Sequence, residues 1–292
     1  MNRRTFFAGS AALLLAACSR SARRISIGSK NFTEQLVLGE LLAQLLEHRT
    51  GTPVERRFYL AGTYICQQAI LAGRIDAYVE YTGTALAAIL KQPVNSNSKL
   101  VFETVRREYQ NRFNLAVFPS LGFNNTFALA MRGDDAKAKG ITKLSDLAKY
   151  APQMRLGVGY EFLERADGFP GLAKTYDLRF AAPPSVMDLG LLYRALESKQ
   201  VDIVAGSNTD GMIAALGLVV LEDDKHYFPP YDAVPIVRPQ ALRDFPSMQS
   251  AFQQLSGRIT TDDMRRMNYA VDGKKQDASE VAHEFLVSAR ID

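Results

Sequence analysis

The chain has 292 residues, 47% of them hydrophobic and 23% charged, with 35 Lys and Arg against 31 Asp and Glu. This is ordinary globular composition, and the length accommodates two domains of about 100–150 residues. Arg3 and Arg4 lie in a segment expected to be removed, which leaves 33 basic against 31 acidic residues. With that balance, and no basic helix or aromatic RNA motif, a nucleic-acid partner is excluded.

Residues 1–17 read as an export signal, with Arg3 and Arg4 before a small apolar run from Ala8 to Ala17. That run is too short to span a bilayer, which takes about 20 apolar residues. Leu15-Ala16-Ala17-Cys18 resembles a bacterial lipobox, so lipidation of Cys18 is expected, with 18–24 as a tether. Arg3-Arg4 before Phe6-Phe7 also looks like a twin-arginine signal, beside the general export route and an ordinary secretory peptide. Exposure at the outer face of a membrane, held by the lipid alone, follows. Cys66 is then the only other cysteine and reads as a buried residue of the helix Tyr64–Leu71.

Ile25–Ser29 reads as a first strand, followed by a long helix that Asn31 and Glu34 are expected to cap and Gly51 to end. A second strand, Val54–Leu60, precedes the helix Tyr64–Leu71. Ile75–Thr84 begins as an alternating strand and ends in Tyr81 and a helix start at Thr82–Thr84. Such a corner offers an aromatic face to a cation, and hydroxyls with N–H groups to an anion. The helix Leu100–Phe113 and the strands Leu115–Phe118 and Ala128–Met131 follow, then a capped short helix at 141–147. The β-α rhythm restarts with strand Met154–Gly159, helix Phe162–Tyr176, strand Leu178–Ala182, helix Met187–Glu197 and strand Val201–Ala205. Strand-like segments recur at Leu218–Leu221 and Ala233–Val237, and the last 55 residues read as helical. This alternation predicts an α/β fold with mostly parallel sheets.

Ala69–Thr84 and Ala195–Asp210 repeat at an offset of 126, matching Asp76 to Asp202, Tyr81 to Ser207 and Thr84 to Asp210. Two similar α/β lobes with strand ends at a shared cleft are implied, the usual place for ligands in open sheets. Catalytic chemistry is sparse. His48, His226 and His283 are far apart, and no metal, nucleophile-elbow or dinucleotide motif occurs. No enzyme activity, cofactor or metal is expected. Lys30 and Arg165, near the ends of matching strands, suit an anionic group on a solute; Tyr81, Phe127 and Tyr231 each lie at the end of a strand-like segment.

Four motifs carry a resemblance: Ile27–Gln35 (IGSKNFTEQ), Tyr78–Thr84 (YVEYTGT), Gly122–Ala130 (GFNNTFALA) and Thr209-Asp210-Gly211. They resemble the substrate-binding proteins of ABC importers for glycine betaine, choline and related compatible solutes, across essentially the whole mature chain. The resemblance implies a two-lobed periplasmic-binding-protein fold of type II with two crossover strands as hinge. One lobe would be 25–127 plus 232–292 and the other 128–231. It also implies an aromatic cage for a quaternary ammonium group at Tyr81, Phe127, Tyr231 and Ser207, where Phe127 lacks a hydroxyl and Ser207 lacks the ring. Thr84, Lys30 and Arg165 match the carboxylate-holding side, and Gln35, Asn125 and Asp210 are further candidate contacts. A monomer delivering its solute to a separate permease and its ATPase, for osmoprotection or nutrition, is the expectation. The alternatives are an amino acid or a bulky trimethylated amino-acid derivative as ligand, an osmosensor, and, distantly, an enzyme on a two-lobed scaffold.

Overall fold

Ten strands segregate into two five-stranded sheets in the computed structural model, which describes residues 23–291. The expected signal, the lipobox and Cys18 lie outside the described residues. In chain order the strands are β1 (Ser26–Gly28), β2 (Glu55–Arg57), β3 (Ala77–Tyr81), β4 (Ala116–Val117) and β5 (Phe127–Arg132). They continue as β6 (Leu156–Val158), β7 (Ser185–Val186), β8 (Ile203–Ser207), β9 (Leu218–Val220) and β10 (Ala233–Val237). The first sheet runs β2-β1-β3-β10-β4 and the second β7-β6-β8-β5-β9. In each, four strands run one way and one, β10 or β5, runs against both its neighbours, so the sheets are mixed.

The repeat is structural. β3 and β8 occupy matching positions in their sheets, residue for residue at the offset of 126. Its aspartates explain themselves. Asp76 accepts the Ser26 N–H at 3.0 Å and Arg238 Nη1 at 3.1 Å; Asp202 accepts the Arg155 N–H at 2.9 Å and Arg132 Nη2 at 3.2 Å. Each carboxylate thus ties the start of its strand to both flanking strands and fixes their register.

Each sheet buries both faces. Leu38, Leu41, Leu45 and Phe252 cover one side of the first sheet, and Ile70, Leu86, Val105 and Tyr109 the other. The second sheet has its own two clusters, around Leu156 and Ile203 and around Leu196 and Val204. The chain crosses between the sheets twice, over 118–126 and 221–232. The crossings run side by side, with the Asn125 N–H donating to the Tyr231 carbonyl at 3.0 Å and Asn124 bridging Asp232. No described helix is long and apolar enough to cross a membrane.

Three local expectations fail. The helix Thr33–Thr50 begins after Phe32 with no side-chain cap, because Glu34 turns inward instead of back to Asn31. The helix expected over 162–176 is two, Tyr160–Glu164 and Phe169–Tyr176. Gly168 packs so closely that an added Cβ would lie 2.1 Å from the Phe162 carbonyl oxygen, and the break leaves Arg165 in extended backbone. Leu178–Ala182 is not a strand; Leu178 and Phe180 pack into the core, and the edge strand forms later at Ser185–Val186.

Candidate functional site

The strand ends converge. β1 and β3 of the first sheet and β6 and β8 of the second open onto one cavity of about 770 Å³. Lys30, Tyr81, Thr84, Asn125, Phe127, Arg165, Ser207, Asp210 and Tyr231 all line it, from both lobes and both crossings. Gln35 does not. It lies behind Tyr81 and donates from Nε2 to the phenol oxygen at 3.0 Å, a brace for the ring where a direct contact was expected.

The aromatic rings are pinned through their hydroxyls. Tyr81 donates to Glu34 Oε1 at 2.6 Å, and Tyr231 donates to Asp167 Oδ2 at 2.7 Å. Phe127, with no hydroxyl to anchor, is held by edge contacts to Phe162 at 4.8 Å and Tyr231 at 5.6 Å between ring centres. Gly83 lets Tyr231 come close, since a Cβ there would stand 2.8 Å from both the ring and the Pro230 carbonyl.

The two buried cations of the site already have partners. Arg165, 5% exposed, donates from Nε and Nη2 to Asp167 at 2.9 and 2.5 Å. Its Nη2 also reaches Thr84 Oγ1 of the other lobe at 3.0 Å. The guanidinium carbon lies 5.0 Å from the centre of the Phe127 ring and 5.9 Å from that of Tyr231. Lys30 pairs with buried Glu80, and its Nζ lies 5.0 Å from the centre of the Tyr81 ring. The cage rings therefore have internal cations over them, an arrangement that residue types alone did not reveal.

Hydrogen bonds join the lobes across the cleft. Ser207 Oγ donates to Asn125 Oδ1 at 2.7 Å; Asn125 Nδ2 donates to Glu34 Oε1 at 2.6 Å and to Thr209 Oγ1 at 3.0 Å. Asn268 Nδ2 donates to Glu34 Oε2 at 3.1 Å and to the Thr209 carbonyl at 2.9 Å. Glu161 accepts the Thr63 N–H at 2.8 Å, capping the helix Thr63–Leu71 from the opposite lobe. The lobes are closed on each other.

Burial shifts the acids. It raises the Glu34 carboxyl above the usual carboxylate range, against hydrogen bonds from Thr209, Tyr81, Asn125 and Asn268. Burial likewise pushes Asp210 up to about 6, opposed by the Tyr193 hydroxyl at 2.5 Å and the Ser207 N–H at 2.8 Å. Burial also pushes the Cys66 thiol up to about 12, which suits a packing role. Glu34 and Asn268 line the cavity too, and sequence reasoning passed over both. Glu34 lies within Ile27–Gln35, where its position predicts a helix cap. Asn268 had a weak signal as a polar residue on the buried face that carries Met264 and Met267.

A two-lobed cavity at sheet ends, with aromatic rings and buried cations, suits capture of a small solute rather than chemistry on it. Comparison with known proteins decides the family. Residues 23–288 match the model of the substrate-binding domain of ABC-type glycine betaine transport systems, OpuAC. The chain belongs to this family. OpuAC domains bind solutes for ABC importers and work outside the cytoplasm with a permease; they are not enzymes.

The carnitine transport binding protein OpuCC of Listeria monocytogenes is 35% identical over 282 residues, covering 94% of this chain and 91% of that one. The ergothioneine transport permease/ergothioneine binding protein EgtU of Helicobacter pylori is 36% identical over 261 residues, 89% of this chain and 46% of that protein. A solved glycine betaine/carnitine/choline ABC transporter structure superposes with a TM-score of 0.76 at 32% identity, covering 91% of this chain and 99% of that chain. The fold is thus the two-lobed one of periplasmic binding proteins.

Proposed function

We propose that this protein is a monomeric, lipid-anchored receptor that closes over a quaternary ammonium solute and hands it to its permease. The observation carrying this reading is the cavity in which Tyr81, Phe127 and Tyr231 converge with Arg165 and Thr84 from opposite lobes. A trimethylammonium group has no N–H to donate, so ring quadrupoles hold it, at about 0.5–2 kcal/mol per ring. Arg165 spends Nε and Nη2 on Asp167 and Thr84, which leaves Nη1, 3.9 Å from Glu161 Oε2 and not hydrogen-bonded to it, and the Thr84 hydroxyl to meet a solute carboxylate. Lys30, paired with Glu80, lines the same cavity beside Tyr81.

The moving bodies in this reading are 25–127 with 232–292, and 128–231, hinged on the paired crossings. Affinity then follows differential binding to the closed form. Cys18 is the lipid attachment point, so Cys18→Ala should release the protein from the membrane; unchanged membrane retention would count against an anchor there.

Glycine betaine, choline and carnitine are the first candidates, for osmoprotection or nutrition. A bulkier trimethylated amino-acid derivative is the second reading. The cavity of about 770 Å³ gives more room than glycine betaine fills, and the EgtU relative is named for ergothioneine. Titration calorimetry against glycine betaine, choline, carnitine and ergothioneine tests both. Saturable heat with one of them is expected; silence at millimolar concentration of all four would refute the ligand class.

A further inference from the structure

The buried charges lining the cavity do not balance. Of the lining cations the two buried ones are matched by buried carboxylates, Lys30 by Glu80 and Arg165 by Asp167, while Arg194 and Lys275 are exposed. Of the other lining carboxylates, buried Glu34 and half-buried Asp210 take part in no ion pair among the described residues. Their partners are neutral donors: the Tyr81 hydroxyl, Asn125 and Asn268 for Glu34, and the Tyr193 hydroxyl and the Ser207 N–H for Asp210. Beside Glu34, Asn268 Oδ1 is buried with no hydrogen-bond partner, although Asn268 lines the cavity at 2% exposure. Acceptors are therefore in excess on this wall. A carboxylate removed from water and met only by neutral donors is held at a cost that an arriving cation removes.

The two acids also stand where they are useful. Glu34 touches Tyr81, a cage ring. Asp210 holds the backbone of Ser207, the cage position that has no ring. We propose that Glu34 and Asp210 are the counter-charges for the cationic head of the solute, with Asp210 acting at the position where an aromatic wall is missing. The inference rests on the quaternary ammonium reading above and sharpens it. Because Lys30 and Arg165 are internally neutralised, this wall selects for positive charge and admits choline-type cations as well as zwitterions. Burial raises Asp210, and Glu34 and Asp272 add like charge to it. Besides these acids, Tyr193 and the Ser207 N–H face it, and Asn268 stands on the adjoining helix Thr261–Asp272.

The test replaces charge at constant shape. Choline is titrated against 3,3-dimethylbutan-1-ol, and glycine betaine against 3,3-dimethylbutanoate, which put carbon where the nitrogen stands. Wild type should favour the cation by about a hundred-fold or more in the pair that binds, and Asp210→Asn or Glu34→Gln should cut that ratio about ten-fold. Affinity for the neutral alcohol should change little, which separates lost charge from a damaged pocket. Wild type binding both members of a pair equally would overturn the inference without any variant. So would a wild-type ratio preserved in both variants. If wild type binds no quaternary ammonium at all, the functional reading falls and takes this inference with it; an unchanged ratio sinks the inference alone.

Discussion

Removing Arg165 separates structural from recognition roles at one residue. Asp167 is 0% exposed, and besides Arg165 its side chain has the Tyr231 hydroxyl at 2.7 Å. Arg165→Met therefore strands a buried carboxylate, which costs about 3–5 kcal/mol. At about 2–4 °C per kcal/mol for a chain of this size, the melting temperature should fall on the order of 10 °C. The same change removes the Nη1 donor for a solute carboxylate, a charged hydrogen bond of about 1.5–3 kcal/mol, or roughly ten- to hundred-fold in affinity. Adding Asp167→Asn removes the stranded charge, so the double variant should regain most of the stability and none of the carboxylate affinity. Thermal melts and calorimetry with glycine betaine and choline read the two effects apart, choline lacking the carboxylate. Recovery of betaine affinity in the double variant would refute the assignment, because Arg165 would then act only by packing against Asp167. An unchanged melt in the single variant would refute the buried ion pair.

Ser207→Tyr restores a ring to the open cage position and should tighten a small betaine by about two- to thirty-fold; titration showing weaker binding would mean the position cannot take a ring. The pH dependence follows from Asp210, which titrates at about 6 in the fold against an ordinary 3.8. A raised acid pKa means the folded state holds the proton more tightly. Ligand-free stability should therefore decline as pH rises through about 4 to 6 and then level, while cation affinity rises over the same window. Melts with and without ligand from pH 4 to 7 check both signs, and Asp210→Asn should lessen the slope, the remainder belonging to Glu34 and Asp272, which burial also raises.

Much of the architecture was legible because its signals are periodic. Ala233–Val237 is a strand over the expected residues, and the offset of 126 places β8 on β3 residue for residue. The break at Arg165–Gly168 has a local signal that the helical reading overrode: Asp167-Gly168 is a turn pair, Pro170 sits in the first turn of the next helix, and Gly168 packs closely against Phe162. Leu178–Ala182 misled for another reason: its apolar residues pack without pairing. Nine of the ten expected contacts line the cavity, six of them within the motifs and Arg165, Ser207 and Tyr231 outside them, and Gln35 lies one layer back. Glu34 was lost to a local rule, because a carboxylate in the first turn of a helix usually caps it or meets its dipole. That Lys30 and Arg165 are already paired is a three-dimensional fact. Glu80 lies 50 positions from Lys30, and nothing in either neighbourhood announces the match.

The cage itself is tested most directly at Tyr81. Calorimetric titration of wild type and Tyr81→Ala with the tightest quaternary ammonium solute, on samples shown to be folded by their melts, measures what the ring contributes. Loss of the ring, and of the hydroxyl bonded to Glu34 at 2.6 Å, should weaken binding about ten-fold or more. Equal affinities in the two proteins would place the cation elsewhere and contradict the account.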